Sequence, residues 1–502
     1  MTVEIVGGTL HGVQGVAVRV EVDVLSMLPS FQVVGLPLSS VKEARERVRS
    51  AISSSGLPFP RRRITANLAP AGLPKAGTGL DLPLALGVVA AAQDEPHWTE
   101  PPMAVGELGL DGRVRPVRGV LPVVEAAAAL GIRRVLVPRA NAAEAALVPG
   151  ITVYAVDTLF GAWEAAGGSE GDLWTGGTGA DVRRPGPDMA DVQGMAGARR
   201  ALEIAAAGGH GLLLEGPPGA GKSMLAKRLA GILPDLPEDQ ALEATRVHSA
   251  AGLLPEGGGL IRRPPLRAPH HTASTAAIIG GGRPLMAGEV SLAHRGVLML
   301  DEAPEFNRGT LEGLRQPMED GFVTVARADR KARFPAAFQL VATRNPCPCG
   351  MYGSGNECLC LLAERDRYLR RLSGPILDRI DMACWVDPVE GRALLAGARG
   401  ESSDVVRRRV TAARGRRGGV LNARAPLSDC VARMSRGARR EVEGSLRALR
   451  GSTRSVQQFV RVSATISDLA GTDAIERDHV QEALLLCANP GPGERASTRR
   501  PA

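Results

Sequence analysis

A chain of 502 residues, 44% hydrophobic and only 3% aromatic, exceeds one ordinary domain and reads as about three. No apolar run is long enough to span a bilayer, and Met1–Val6 lacks the basic start and apolar core of a secretion signal, so a cytoplasmic protein without a membrane partner is expected. A net charge of +8 admits a polyanionic partner without requiring one, and seven cysteines, four of them crowded into Cys347–Cys360, do not form a secreted disulfide framework.

Short β-like runs, Val16–Val24 and Phe31–Val34, alternate with helical stretches at Ser40–Ser53, Leu82–Ala92 and Val123–Leu130. Residues 1–171 therefore read as an α/β or α+β domain. Residues 172–189 are rich in Gly and Pro, lack apolar periodicity and read as a linker. A nucleotide domain is expected over 190–389. It is followed by a helical region over 390–490, with helical spacing at Arg439–Leu449, Val456–Leu469 and Ile475–Cys487. Residues 491–502 have the composition of a disordered tail.

The nucleotide domain is marked by Gly216-Pro217-Pro218-Gly219-Ala220-Gly221-Lys222-Ser223, a complete Walker A sequence between the apolar run Gly211–Leu214 and a helix-like segment. Gly216, Gly219 and Gly221 let backbone N–H groups approach phosphate oxygens, Lys222 reaches the β- and γ-phosphates, and Ser223 offers its hydroxyl to Mg²⁺. Downstream, Val297–Leu300 is a buried-strand pattern ending in Asp301 and Glu302, the form of a Walker B element. There Asp301 holds Mg²⁺ and Glu302 polarises the attacking water. The cofactors expected are ATP and Mg²⁺.

Between Gly321–Val325 and a strand read as Arg333–Val341 lies Ala326–Lys331, a basic hairpin. Its Arg327, Arg330 and Lys331 are candidate contacts for DNA phosphates, the alternative being an ordinary solvated turn. His270 and His271 lie side by side in a second insertion, where packing or a pore contact is favoured over metal binding. Cys347-Pro348-Cys349 and Cys358-Leu359-Cys360 are two close pairs that can close a tetrahedral Zn²⁺ shell; reduced thiols without metal are the alternative.

The order of these parts resembles an AAA+ P-loop ATPase core with an α-helical lid. The resemblance implies that Asn345 is the sensor-1 residue. It also implies that Arg379, in Gly374–Asp381, is an arginine finger acting on a neighbouring subunit's γ-phosphate, and that Arg454 is a sensor-2 arginine acting in its own subunit. More specifically, Arg267–Ser274 with Gly280–Gly282, Gly288–Gly296 and Asn345–Gly350 resemble the ComM/YifB family of magnesium-chelatase-like AAA+ ATPases over nearly the whole chain. That implies a homo-oligomer, a hexameric ring, that moves branched DNA during recombination or natural transformation. In the first domain, Pro74–Leu82 and Gly112–Val120 resemble the catalytic segments of a Lon-protease-like domain with a ribosomal S5-like α+β fold. The nucleophile position falls at Gly79 and the lysine position at Leu121, so no catalytic dyad remains. Two other functional readings stay open: a chelatase-like motor that remodels a protein partner, and a nucleotide-gated scaffold.

Overall fold

The structure, a computed structural model, describes residues 2–93, 98–182, 186–282, 285–327, 330–372, 374–389, 399–446 and 453–487. The expected tail 491–502 lies outside the described residues.

Thr2–His11 and Gln14–Leu25 are paired antiparallel strands, with Val6 opposite Arg19 and Gly8 opposite Ala17. Arg63–Ala69 adds on antiparallel, and Ser30–Val34 pairs parallel to it at one edge. On the other side Met103–Ala104, Arg134–Pro138 and Thr152–Val156 continue in parallel to complete a mixed seven-stranded sheet. The helix Asp81–Ala92, buried from Asp81 to Ala91, lies against this sheet with Leu82, Leu84, Leu86, Val88 and Val89 in the core. Its buried Asp81 is held by a two-bond contact to Arg47 at 2.7 and 3.0 Å. A carboxylate taken out of water requires such a partner.

The stretch read as a linker is held to the rest of the chain at Trp174 and at Val182. Trp174 N–H donates to Val153 O at 2.9 Å, and Val182 N–H donates to Leu260 O at 2.9 Å. A Gly/Pro-rich composition excluded apolar periodicity, but it did not exclude backbone pairing with a sheet edge.

The nucleotide domain is built on a five-stranded sheet in the order Leu266–Arg267, Val297–Leu300, Gln339–Arg344, Leu212–Glu215, Met382–Trp385. Every pair in it is parallel. Near-continuous burial of the central strands matches a sheet covered on both faces. The arrangement fits a P-loop AAA+ core. Its register sets Leu214 opposite Thr343 and Leu300 opposite Ala342, so the segments following three strands converge at one end of the sheet, where ligands bind in open α/β folds.

Beyond this sheet stand the helices Ser403–Gly415, Arg436–Ser445, Thr453–Leu469 and Arg477–Cys487. Their apolar faces share one core with the helix Ala196–Gly208, centred on Phe459, Val462, Val410 and Leu202. The helix Ser403–Gly415 was not singled out in the sequence because its arginines mask a short apolar stripe of Val406, Val410 and Ala413.

Two sequence expectations are corrected in the basic hairpin. The strand read as Arg333–Val341 is two strands: Arg330–Pro335 pairs antiparallel with Phe322–Arg327, and Gln339–Arg344 enters the central sheet. Arg330 and Lys331 consequently lie on a strand and not in a turn. The root of the hairpin is packed and not free: Ala332 and Phe334 share a core with Val13, Val247, Ala250 and Leu292. His11 Nε2 also meets Lys331 O at 3.0 Å.

The first domain and the nucleotide domain meet along the helix Glu238–Ala251. Arg246 makes two 2.7 Å bonds to Glu125, Gly119 N–H donates to Ser249 O at 2.9 Å, and the Ser249 hydroxyl donates to buried Glu144.

Candidate functional site: a phosphate loop and its carboxylates

The loop 216–221 joins the strand Leu212–Glu215 to the helix Lys222–Ile232. Gly221 has φ +89°, a conformation open to glycine and strained for other residues, and it places Lys222 at the first helical position. Lys222 is 7% exposed. Its Nζ donates to Gly216 O at 2.8 Å, Pro217 O at 2.8 Å and Asn345 Oδ1 at 3.0 Å. Burial lowers the Lys222 pKa from the ordinary lysine value, opposed by the carboxylates of Asp301, Glu302 and Glu215. The ammonium is therefore held in a pocket of oxygens where phosphate can compete for it.

Ser223 Oγ donates to Asp301 Oδ1 at 2.7 Å, so the two expected Mg²⁺ ligands touch. The same Asp301 oxygen accepts a 2.7 Å bond from Thr343 Oγ1, whose oxygen in turn accepts from Glu302 N at 2.9 Å. Thr343 is 1% exposed and was not recognised in the sequence. Only the register of the sheet brings it to Asp301. Glu302 has φ +52° and ψ +51°, a left-handed conformation that costs a non-glycine residue on the order of 1–3 kcal/mol. It is retained by the Thr343 bond and by Glu305 N–H donating to Glu302 O at 2.8 Å, and it presents the Glu302 carboxylate to solvent beside the loop. Beneath the site, Glu215 and Arg344 form a buried ion pair at 2.9 Å.

The cysteine loop follows Asn345 directly and presses on the phosphate loop. A Cβ on Gly350, whose φ is +79°, would stand 2.4 Å from Pro218 Cδ. The four sulfurs of Cys347, Cys349, Cys358 and Cys360 lie within 4.8 Å of one another. Cys347 to Cys349 is 3.4 Å, and Cys358 is 3.7 Å from each of these two. A tetrahedral Zn²⁺ with Zn–S of about 2.3 Å needs S···S of about 3.8 Å, so the thiols fit this ion. The Tyr352 N–H donates to Cys347 Sγ at 3.4 Å. Burial pushes the Cys347 thiol up to about 12, whereas the backbone N–H of Met351 pulls Cys349 down to about 6. The cluster is compatible with a structural zinc site.

Arg379 and Arg454 are brought to a single carboxylate, Glu319. Arg379 Nη2 is paired with Glu319 Oε1, and Arg454 Nη1 approaches the same oxygen at 3.2 Å. The sequence expectation assigns Arg379 to a neighbouring subunit's γ-phosphate and Arg454 to the phosphates of its own subunit; in the single chain the two share this carboxylate. Of the hairpin residues, Lys331 is exposed. A cleft of about 800 Å³, which the sequence did not reveal, is lined by Arg308, Arg367, Arg370 and Arg371 together with Glu305 and Asp366. His270 stacks on His271 at 4.2 Å between ring centroids, and His271 meets the edge of Phe306. In the first domain Gly79 lines a cleft of about 330 Å³ that Met286 and Ala287 of the nucleotide domain border, and Leu121 is fully buried.

Comparison with known proteins relates the chain to a family. Residues 188–394 match the family model of magnesium chelatase subunit ChlI, 20–141 match a second ChlI model, and 400–486 match the ChlI C-terminal model. The chain is 42% identical over 480 residues to the uncharacterized protein YifB of Escherichia coli, covering 94% of each chain. It is 40% identical over 492 residues to competence protein ComM of Haemophilus influenzae, covering 94% of this chain and 95% of that one. The chain belongs to the ComM/YifB family of magnesium-chelatase-like proteins. An uncharacterized member from Mycobacterium tuberculosis is 44% identical over 487 residues, covering 95% of this chain and 96% of its own. Family membership implies ATP and Mg²⁺ as cofactors. Among the described residues, no helix is long and apolar enough to cross a membrane.

Proposed function

We propose that this chain is an ATP-hydrolysing AAA+ ring motor that translocates DNA and drives branch migration, as a cytoplasmic hexamer. The observation that carries the ATPase reading is the closed contact set Lys222–Asn345 and Ser223–Asp301–Thr343–Glu302 at the end of a parallel sheet. Lys222 would exchange its carbonyl partners for β- and γ-phosphate oxygens. Ser223 and Asp301 would hold Mg²⁺, which when bound neutralises phosphate charge. Glu302 would accept the proton of the water that attacks the γ-phosphorus, while the bond to the β-phosphate oxygen breaks and ADP leaves. Asn345, already touching Lys222, would orient that water. Arg379 would supply positive charge to the phosphate of an adjoining copy.

The helices from 403 to 487 serve in this reading as the lid over the nucleotide. The first domain serves as a Lon-like, S5-like platform without hydrolytic chemistry: Gly79 and Leu121 supply neither nucleophile nor base. Zn²⁺ held by Cys347, Cys349, Cys358 and Cys360 would brace the loop that carries Asn345; with four protein ligands the site is closed and structural. Support for DNA comes from the charge of +8, from Arg327, Arg330 and Lys331 on the hairpin, and from the kinship with a competence protein. The chelatase-type relationship favours a second reading, an ATPase that remodels a protein partner.

The two readings separate in one experiment. A four-way DNA junction with differently labelled arms is incubated with the protein, Mg²⁺ and ATP. The first reading predicts ATP-dependent conversion into two duplexes that Glu302→Gln does not support. ATP turnover with no arm exchange would transfer the proposal to the protein-remodelling motor.

A further inference from the structure

The two arginines expected to act on phosphate share one oxygen. Glu319 Oε1 takes Arg379 Nη2 and Arg454 Nη1 together, the latter at 3.2 Å. They come from distant stretches of chain: Arg379 follows the short helix Gly374–Leu377, while Arg454 lies in the first turn of Thr453–Leu469. That helix is tied to the finger segment a second time, by Gln458 Nε2 donating to Asp378 O at 2.7 Å. Arg379 Nη1 donates to Pro375 O at 2.6 Å, and its Nε is buried without a partner among the described residues. None of these contacts belongs to this chain's own phosphate loop. Lys222 and Ser223 are engaged by Gly216, Pro217, Asn345 and Asp301.

Glu319 is the penultimate residue of the short helix Arg315–Asp320, and its side chain is 46% exposed against 14% for Arg379. Both guanidinium groups hold the Glu319 carboxyl below the usual carboxylate range, Arg454 being the larger cause. Two guanidinium groups on one anionic oxygen form the grip that a terminal phosphate oxygen would receive.

We propose that Glu319 is a positioning residue that gathers Arg379 and Arg454 into one unit and holds that unit ready for the terminal phosphate of a nucleotide bound by an adjoining copy. The inference rests on the ATPase reading above. Glu319 cancels the repulsion between two like charges and keeps the lid helix registered to the finger segment. A phosphate oxygen of the neighbour's nucleotide then competes with the carboxylate for the same donors. Arg454 acts with Arg379 across the subunit boundary instead of closing over its own subunit's phosphates.

The test uses full-length Glu319→Ala and Glu319→Gln. Each is assayed for fluorescent-nucleotide binding, ATP-dependent assembly by sedimentation, and steady-state turnover. Glu319→Ala should lower kcat at least tenfold while nucleotide affinity stays within twofold of wild type; Glu319→Gln, which keeps an acceptor oxygen, should fall between. The deciding step co-purifies Glu319→Ala with Lys222→Ala through two tags. In mixed rings the Lys222→Ala chain brings an intact Glu319–Arg379–Arg454 unit to the other chain's intact phosphate loop, so turnover should return. Mixed rings that remain inactive, or a Glu319→Ala protein with wild-type kcat, would overturn the proposal. If wild type itself shows no turnover, the ATPase reading falls. Assembly then decides the inference: loss of ATP-dependent assembly in Glu319→Ala with nucleotide binding intact supports it, and assembly like wild type refutes it.

Discussion

Removing one hydroxyl, with Thr343→Val, tests whether the register of the sheet builds the carboxylate pair Asp301 and Glu302 proposed to act on ATP. Valine has nearly the same shape, so packing at a position 1% exposed is kept. Two bonds go: the one donated to Asp301 Oδ1 at 2.7 Å and the one accepted from Glu302 N at 2.9 Å. A hydrogen bond to a charged group contributes about 1.5–3 kcal/mol and a neutral one about 1, and the Glu302 N–H is left without its partner. The total is about 2.5–4 kcal/mol, shared between folding stability and the placement of Glu302. Glu302 depends on these bonds, because its left-handed backbone is not a conformation it adopts freely. If only about 1.4 kcal/mol is expressed in the transition state, kcat falls about tenfold. A loss of about 2 kcal/mol lowers Tm by roughly 4–8 °C for a unit of this size. Steady-state ATPase, nucleotide binding and thermal melts on Thr343→Val and Thr343→Ser check this, with Thr343→Ser expected to restore most activity. A Thr343→Val enzyme with kcat within twofold of wild type and an unchanged melt would refute the reasoning.

Lys222→Ala should abolish ATP binding, and Glu302→Gln should bind ATP at near wild-type affinity without turning it over; equilibrium binding and single-turnover assays separate the two. Purified protein should carry about one zinc per chain by elemental analysis, and Cys358→Ser should lose it, because three sulfurs do not close the tetrahedral shell. His294 provides a pH test. Burial lowers its pKa from 6.5 to about 4, and its Nδ1 accepts from Ala337 N at 3.0 Å. The folded value lies below the unfolded one, so on acidification the unfolded chain binds the proton first. Stability should be constant above about pH 6.5 and fall between there and pH 4, by up to about 1.4 kcal/mol per pH unit. Denaturant titrations of His294→Asn should show a shallower slope across that window.

The parts legible in the sequence are those whose chemistry is local. Gly216–Ser223 between an apolar run and a helix, and Asp301-Glu302 closing another apolar run, carry their own structural context along the chain, and the structure sets them together. The cysteine pairs were legible as a candidate metal shell because each pair is close in sequence, and the loop joining them brings the four sulfurs within 4.8 Å of one another. Thr343 was not legible: two residues before Asn345 it is one more polar residue on a buried strand, and its role follows from Leu300 lying opposite Ala342. Glu319 was hidden for the same reason. It meets Arg379 across 60 residues and Arg454 across 135, and no spacing encodes such a meeting. The hairpin misled because Arg333–Val341 is apolar enough to read as one strand, while Pro335 ends one ladder and Gln339 begins the next.

The most direct measurement is the steady-state ATPase rate with Mg²⁺, alone and with single-stranded, duplex and four-way-junction DNA, using Glu302→Gln as the blank. A motor that migrates branches should turn over ATP above the blank and be stimulated most by the junction. A rate indifferent to every form of DNA would contradict that account.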